Sequence, residues 1–292
     1  MNFGIDVTGL CLDYGDTRAL DDMTFSIAGG KIVGLLGRNG SGKTSLVSVL
    51  AAYRPETAGE VRVNGQRPFE NAAVMSGVCL IREGGDVSDT SRVSTVLDFA
   101  ARYRASWDWE LANKLVDRFE LPLRKRVRAL SRGTKSALGV VLGMASRAPL
   151  TIFDEVHLGM DAPSRYAFYE ELLADYLAHP RTFILSTHLI EEVSSLFEEV
   201  LIIDKGQVVL HEPTEDVRER GVAVTGPAAA VDTFTEGLTV LNRQQLGGSA
   251  QVTVFGELSD DRQRAAKTAG LELGPVPLQD LFVHLTKPRE RT

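Results

Sequence analysis

The chain has 292 residues, 43% hydrophobic and 24% charged, which is the composition of an ordinary globular protein with room for one large domain or a large one plus a small one. Its formal net charge of −7 leaves no whole-chain basic field to hold nucleic acid or anionic lipid. The longest uncharged apolar run, residues 137–146, is far short of a membrane span, and the start shows no secretory leader pattern, so work at a membrane would need a partner chain.

The opening reads as short strands, "FGIDVTGLCLDYG", "ALDDMTFSIAGG" and "KIVGLLG", punctuated by glycines and aspartates. A glycine-rich loop and a helix, "KTSLVSVLAAY", follow, and Pro55 with "TAGE" ends the helix. "GEVRVNGQRP" reads as a strand turning at Asn64-Gly65. Cys11 and Cys79 sit in apolar strand-like runs with no partner spacing, as buried free thiols do.

From about 84 to 148 the pattern becomes helical. Leu111, Leu115, Val116 and Phe119 share one face, and a helix over 132–146 stops before Pro149. "RKRVR" at 124–128 is the one basic cluster and reads as a solvated or partner-facing loop. Trp107 and Trp109 in this section are either an exposed anchor or core packing.

Two apolar strands come next, "LTIFDE" and "TFILSTH", separated by a helix through "SRYAFYEELLADYLA". Apolar runs with polar residues only at their C-terminal ends are typical of parallel strands that feed an active site. "VLIIDKGQVVL" reads as a hairpin turning at Lys205-Gly206. Residues 221–292 alternate short strands with helices, a small α+β appendix.

Three features carry chemistry. "GRNGSGKTS", residues 37–45, fits G-x-x-x-x-G-K-[ST] after a strand and before a helix. Gly37, Gly40 and Gly42 let backbone N–H groups wrap a phosphate, and Arg38, Asn39, Ser41 and Ser45 complete the loop. Lys43 is placed to reach the β and γ phosphates and Thr44 to ligate Mg²⁺. Secondly, the strand "LTIFDE" delivers Asp154 and Glu155 at its end. They are either solvated caps or a metal-holding carboxylate and a water-orienting one; beside a phosphate loop, the second reading assigns Asp154 to the metal and Glu155 to the water. Thirdly, His188 ends the neighbouring strand, where a γ-phosphate contact competes with plain packing.

The phosphate loop, "LSRGTKSAL", "LTIFDE", "HLGMDAPSR" and "STH" occur in that order. The set resembles the ATP-binding cassette (ABC) ATPases, in particular the nucleotide-binding subunits of bacterial export-type transporters, over about residues 3–212. The resemblance implies an α/β fold: a P-loop ATPase domain with a mixed-sheet core, an antiparallel β subdomain and a helical subdomain (about 84–148). That domain spans 1–215, and a small accessory domain spans 221–292. It implies that Tyr14 stacks on adenine, although an ordinary strand aromatic is the alternative. It implies that Ser131, Arg132 and Gly133 form the signature that meets the ATP held by the opposite subunit. Asp161 would lie in the loop that communicates across the dimer, Glu155 would be the catalytic glutamate and His188 the switch histidine.

The resemblance further implies ATP and Mg²⁺ as cofactors and a head-to-tail homodimer or heterodimer. It also implies separately encoded transmembrane subunits, a place on the cytoplasmic face of the plasma membrane, and no nucleic acid. Two alternatives stand beside a transport motor: a regulatory or scaffold ABC protein with weak hydrolysis, and a soluble ABC ATPase outside transport.

Three departures mark the sequence. Arg132 and Thr134 replace the first glycine and the glutamine of the usual Leu-Ser-Gly-Gly-Gln. Where the family has a Mg²⁺-touching glutamine after an early strand, "VCLIREGGDV" offers Arg82 and Glu83, and counting to the next helix puts Glu83 in that place as a metal ligand. "DEVHLGMD" differs from the usual Asp-Glu-Pro-Thr wording, and His157 receives no function. The appendix is left to regulate, to stabilise a dimer or to bind a ligand.

Overall fold

The computed structural model describes residues 3–83 and 87–286. Its contacts divide the chain into two compact units: residues 1–188 with 203–208, and residues 189–202 with 209–292. The segment 189–202 therefore groups with the C-terminal residues.

In the first unit, β1 (Ile5–Tyr14) and β2 (Thr17–Ile27) form an antiparallel pair. The chain then runs through β3 (Ile32–Leu36), α1 (Lys43–Leu50), β4 (Ala58–Val63), α2 (Ala72–Met75) and β5 (Val78–Arg82). β4 pairs with the other edge of β1, giving a sheet in the order β2-β1-β4. Alternation holds it together: Ile5, Val7, Val61 and Val63 are buried while Asp6, Thr8 and Arg62 face outward. β4 turns at Asn64 and Gly65, both with positive φ (52° and 74°), as an Asn-Gly hairpin demands.

Helices α3 (Val93–Tyr103), α4 (Trp109–Arg118) and α5 (Arg132–Ala145) occupy the section expected to be helical; residues 84–86 of that section lie outside the described residues. Asp108 caps α4, accepting the Leu111 N–H at 2.9 Å. The rings of Trp107 and Trp109 meet edge to face at 5.7 Å, and Trp109 stays exposed. The unit continues with β6 (Leu150–Asp154), α6 (Ala162–Ala178) and β7 (Thr182–Thr187).

β5, β6, β7 and β3 lie side by side in that order, all parallel. Every residue of β3, β6 and β7 is buried, which is why these segments read as unbroken apolar runs instead of alternating ones. Phe153 stacks on Phe183 (centroids 6.3 Å apart) and meets Phe168 of α6 edge to face. Beneath the strands, the buried carboxylate of Asp175 pairs with Arg147 and with Arg181 (2.7 Å), and Arg147 also holds Asp108 at 2.7 Å. Cys79 is buried and Cys11 half-buried, both as free thiols.

Register fixes what reaches the sheet's C-terminal edge. Arg82 pairs with Asp154, Asp154 with Ser186, and Leu36 with Thr187. The residues that follow these strands, Glu83, Glu155, His188 and the loop from Gly37, therefore all emerge at one edge, where open α/β sheets bind ligands.

The second unit holds α7 (Ile190–Val193) and most of β8 (Glu199–Asp204) and β9 (Gln207–Pro213), whose connecting turn belongs to the first unit. It continues with α8 (Thr214–Arg220), β10 (Gly221–Pro227), α9 (Ala228–Thr235), β11 (Val240–Leu246) and β12 (Ser249–Phe255), then α10 (Asp260–Thr268), β13 (Glu272–Pro275) and α11 (Leu278–Leu285). Its antiparallel sheet has the order β11-β12-β10-β13. Val224, Val231, Val252, Val254, Ala266 and Leu271 make its core. Among the described residues, no helix is long and apolar enough to cross a membrane.

Candidate functional site

The loop between β3 and α1 is shaped by glycine. Gly42, at the head of α1, has φ 108°, and a Cβ there would lie 2.9 Å from the Ala19 carbonyl oxygen. Gly40 (φ 79°) faces open space. The outer side of the loop shows Arg38, Asn39, Gly40 and Thr44 to solvent, while Ser41 and Lys43 are buried and Gly42 and Ser45 half-buried. This is a set of N–H groups at a helix start with one side open to an anion.

Lys43 points back under the loop. Its Nζ donates to the Gly37 carbonyl at 2.6 Å and the Arg38 carbonyl at 3.3 Å, and lies 3.5 Å from Glu155 Oε1. Glu155 follows β6 with a left-handed backbone, φ 53°, as several turn residues of this chain do. Its other oxygen, Oε2, accepts from His188 Nδ1 at 2.9 Å. The phosphate loop, β6 and β7 thus converge on one carboxylate.

Beside it, Asp154 is buried and its Oδ1 has no hydrogen-bond partner; the buried Ser41 Oγ is likewise unpartnered. Buried polar atoms normally find partners, and these two oxygens are open to one. An all-oxygen donor set suits a hard cation such as Mg²⁺, so the residues present fit the expected ion.

Arg82 and Glu83 go separate ways. The Arg82 guanidinium donates to Ser48 Oγ at 3.2 Å and lies over the Tyr53 ring. The Glu83 carboxylate forms an ion pair with Arg132 at the start of α5.

Ser131 is the N-cap of α5, accepting the Thr134 N–H at 3.1 Å, with the two hydroxyls 2.8 Å apart. Ser131 and Arg132 are exposed. Gly133 packs so closely on the turn after β6 that a Cβ would sit 2.6 Å from the Gly159 carbonyl oxygen. The aliphatic stem of Arg132 covers Gly159. Two residues on, Asp161 caps α6 by accepting the Ser164 N–H at 2.9 Å, and hydrogen bonds from Ser164 hold its carboxyl below the usual range. The signature segment and the Asp161 loop are therefore neighbours within one chain. Tyr14 ends β1, partly exposed, with the Arg54 guanidinium 4.9 Å from its ring centre.

His157 was given no function from sequence. It is buried, with Nε2 3.4 Å from Glu155 Oε2 and 3.1 Å from Thr187 Oγ1. The ligand atoms of Glu155, His157 and His188 all lie within 4.8 Å of one another. The only sequence signal was a histidine two positions after the strand-end glutamate.

The fold is that of the P-loop ATPases of the ATP-binding cassette class. Residues 20–157 fit the model of the ABC transporter family, and the chain carries an ABC transporter ATP-binding domain. It is similar to the ABC transporter ATP-binding protein YtrB of Bacillus subtilis (24% identity, 75% of each chain). The similarity runs nearly end to end with the daunorubicin resistance ATP-binding protein DrrA3 of Streptomyces coeruleorubidus, at 28% identity over 97% of this chain and 95% of the other. With the Nod factor export ATP-binding protein I of Mesorhizobium japonicum it is 27% identical over 97% and 86%. Among solved structures, an ATP-binding subunit of an ABC transporter superimposes with a TM-score of 0.66 at 23% identity, over 73% of this chain and 91% of that one. An ATP-binding cassette in a post-hydrolysis state with ADP and Pi gives 0.62 at 17% identity, over 72% and 98%.

Proposed function

We propose that this ATPase is the motor subunit of an export-type ABC transporter. Two copies, or this chain and a related one, would close head to tail on two ATP molecules and drive separately encoded transmembrane subunits from the cytoplasmic face of the plasma membrane. The observation that carries the reading is the convergence of Lys43 and His188 on Glu155, next to the unpartnered Asp154 oxygen. The near end-to-end similarity to proteins named for drug resistance and Nod factor export supports the direction of transport.

In this reading Tyr14 stacks on adenine and residues 37–45 wrap the phosphates. Lys43 turns from its loop carbonyls to the β and γ phosphates. Thr44 and Asp154, with Glu83 as a further candidate, would hold Mg²⁺, which when bound neutralises phosphate charge. Glu155 takes the proton of the attacking water, and His188 contacts the γ-phosphate. Ser131, Arg132 and Gly133 complete the other subunit's site, and Asp161 links the two. Residues 1–215 act as the ATPase and 221–292 as an accessory domain.

Light scattering on the full-length Glu155→Gln variant tests the assembly. Mg-ATP should convert a monomer, or a monomer with a related partner chain added, into a dimer, and ADP should not. A mass that never responds to ATP in either mixture contradicts the sandwich.

A further inference from the structure

We infer that His157 is a positioning residue for the hydrolytic glutamate: a buried imidazole that keeps the Glu155 carboxylate in place when its other two contacts leave. The inference rests on the hydrolytic role proposed above for Glu155.

Three groups reach the Glu155 carboxylate. Lys43 Nζ is 3.5 Å from Oε1, His188 Nδ1 is 2.9 Å from Oε2, and His157 Nε2 is 3.4 Å from Oε2. The first two belong to the phosphate-binding set, so a bound nucleotide draws them toward phosphate. His188 is also the more exposed of the two histidines, with its side chain 39% accessible. His157 differs in both respects. Its side chain is only 5% exposed, and its Nε2 lies 3.1 Å from Thr187 Oγ1, the last residue of β7, itself buried.

In the tautomer protonated at Nε2, that N–H can donate to the Glu155 carboxylate, which only accepts, and share its proton with the threonine hydroxyl oxygen. The imidazole thereby ties Glu155 to the end of β7. Glu155 needs such a tie. A base displaced by about 1 Å can cost on the order of 100-fold in rate.

The test compares full-length wild type with His157→Ala, His157→Gln and Glu155→Gln, measuring kcat and KM for Mg-ATP, the ATP dissociation constant and Tm. His157→Ala should lower kcat about 10- to 100-fold while ATP affinity stays within about twofold. His157→Gln, whose amide N–H can replace Nε2–H, should recover most of the lost rate. The inference is overturned if His157→Ala hydrolyses like wild type while Glu155→Gln is inactive, if glutamine rescues no better than alanine, or if the rate falls only in step with ATP affinity or Tm. If Glu155→Gln itself hydrolyses like wild type, the proposed role of Glu155 fails first and this inference with it.

Discussion

The guanidinium of Arg132, the first residue of α5, pairs with the carboxylate of Glu83, the residue that follows β5. The negative charge of Glu83 is thus met by the positive charge of Arg132. The pair joins the edge of the β5–β6–β7–β3 sheet to the helix start that carries Ser131.

A double-mutant cycle on this pair should show the coupling. The pair is exposed, so Glu83→Gln and Arg132→Gly should each change stability by less than about 1 kcal/mol. Their effects on ATP turnover should not add: the double variant should hydrolyse faster than the product of the two single effects predicts. Additive effects on kcat would mean that the two substitutions act independently.

Gly133 has no room for a side chain. Because a Cβ would sit 2.6 Å from the Gly159 carbonyl, Gly133→Ala must push α5 away from the turn that leads to Asp161. The expected cost is about 1–3 kcal/mol, read from urea unfolding, with turnover reduced as well. Wild-type stability in that variant would show that the contact is slack.

The Asp175 network should dominate single-site stability losses. Asp175→Ala leaves Arg181 and Arg147 without their shared carboxylate in a buried setting, at a cost of about 3–5 kcal/mol. Burial already pushes the Arg181 guanidinium below its ordinary value, with Asp175 opposing that trend. Chemical denaturation of the variant measures the loss, and a cost below about 1 kcal/mol would contradict the buried network.

Two helix caps predict the acid limb of stability. Asp161 is held below the usual carboxylate range by its bonds from Ser164. For Asp108, burial pushes upward, but the Leu111 N–H and Arg147 outweigh it, and the net direction is also down. A depressed folded value means that the stabilisation is full above the unfolded value of about 3.9 and is lost as pH falls through the folded one. Urea midpoints should therefore fall below about pH 4, and Asp108→Asn should flatten that slope.

Much of this was legible in the sequence because the causes are local. Three glycines and a lysine at fixed spacing, after a strand and before a helix, specify the loop between β3 and α1. Apolar runs ending in Asp154-Glu155 and in His188 announce buried parallel strands. Asn64-Gly65 and Lys205-Gly206 impose their turns through positive φ.

What stayed hidden depends on contacts far apart in the chain. Nothing near Glu83 names Arg132 as its partner, and nothing near His157 names Thr187. β11 carries little local signal because "VLNRQQL" is a mostly exposed edge strand with no alternation, and β13 because it is four residues ending in proline. The segment 189–202 groups with the C-terminal unit because α11 packs on α7, which no local pattern encodes.

The proposed function rests on Glu155, held between the loop before α1 and β7, acting as the base of an ATP-hydrolysing site. Steady-state Mg-ATP hydrolysis by full-length wild type and Glu155→Gln, with ATP binding measured on the same samples, tests it most directly. Glu155→Gln should bind ATP as wild type does and lose turnover by about 100-fold or more. Equal turnover by the two proteins, at equal ATP occupancy, would contradict it.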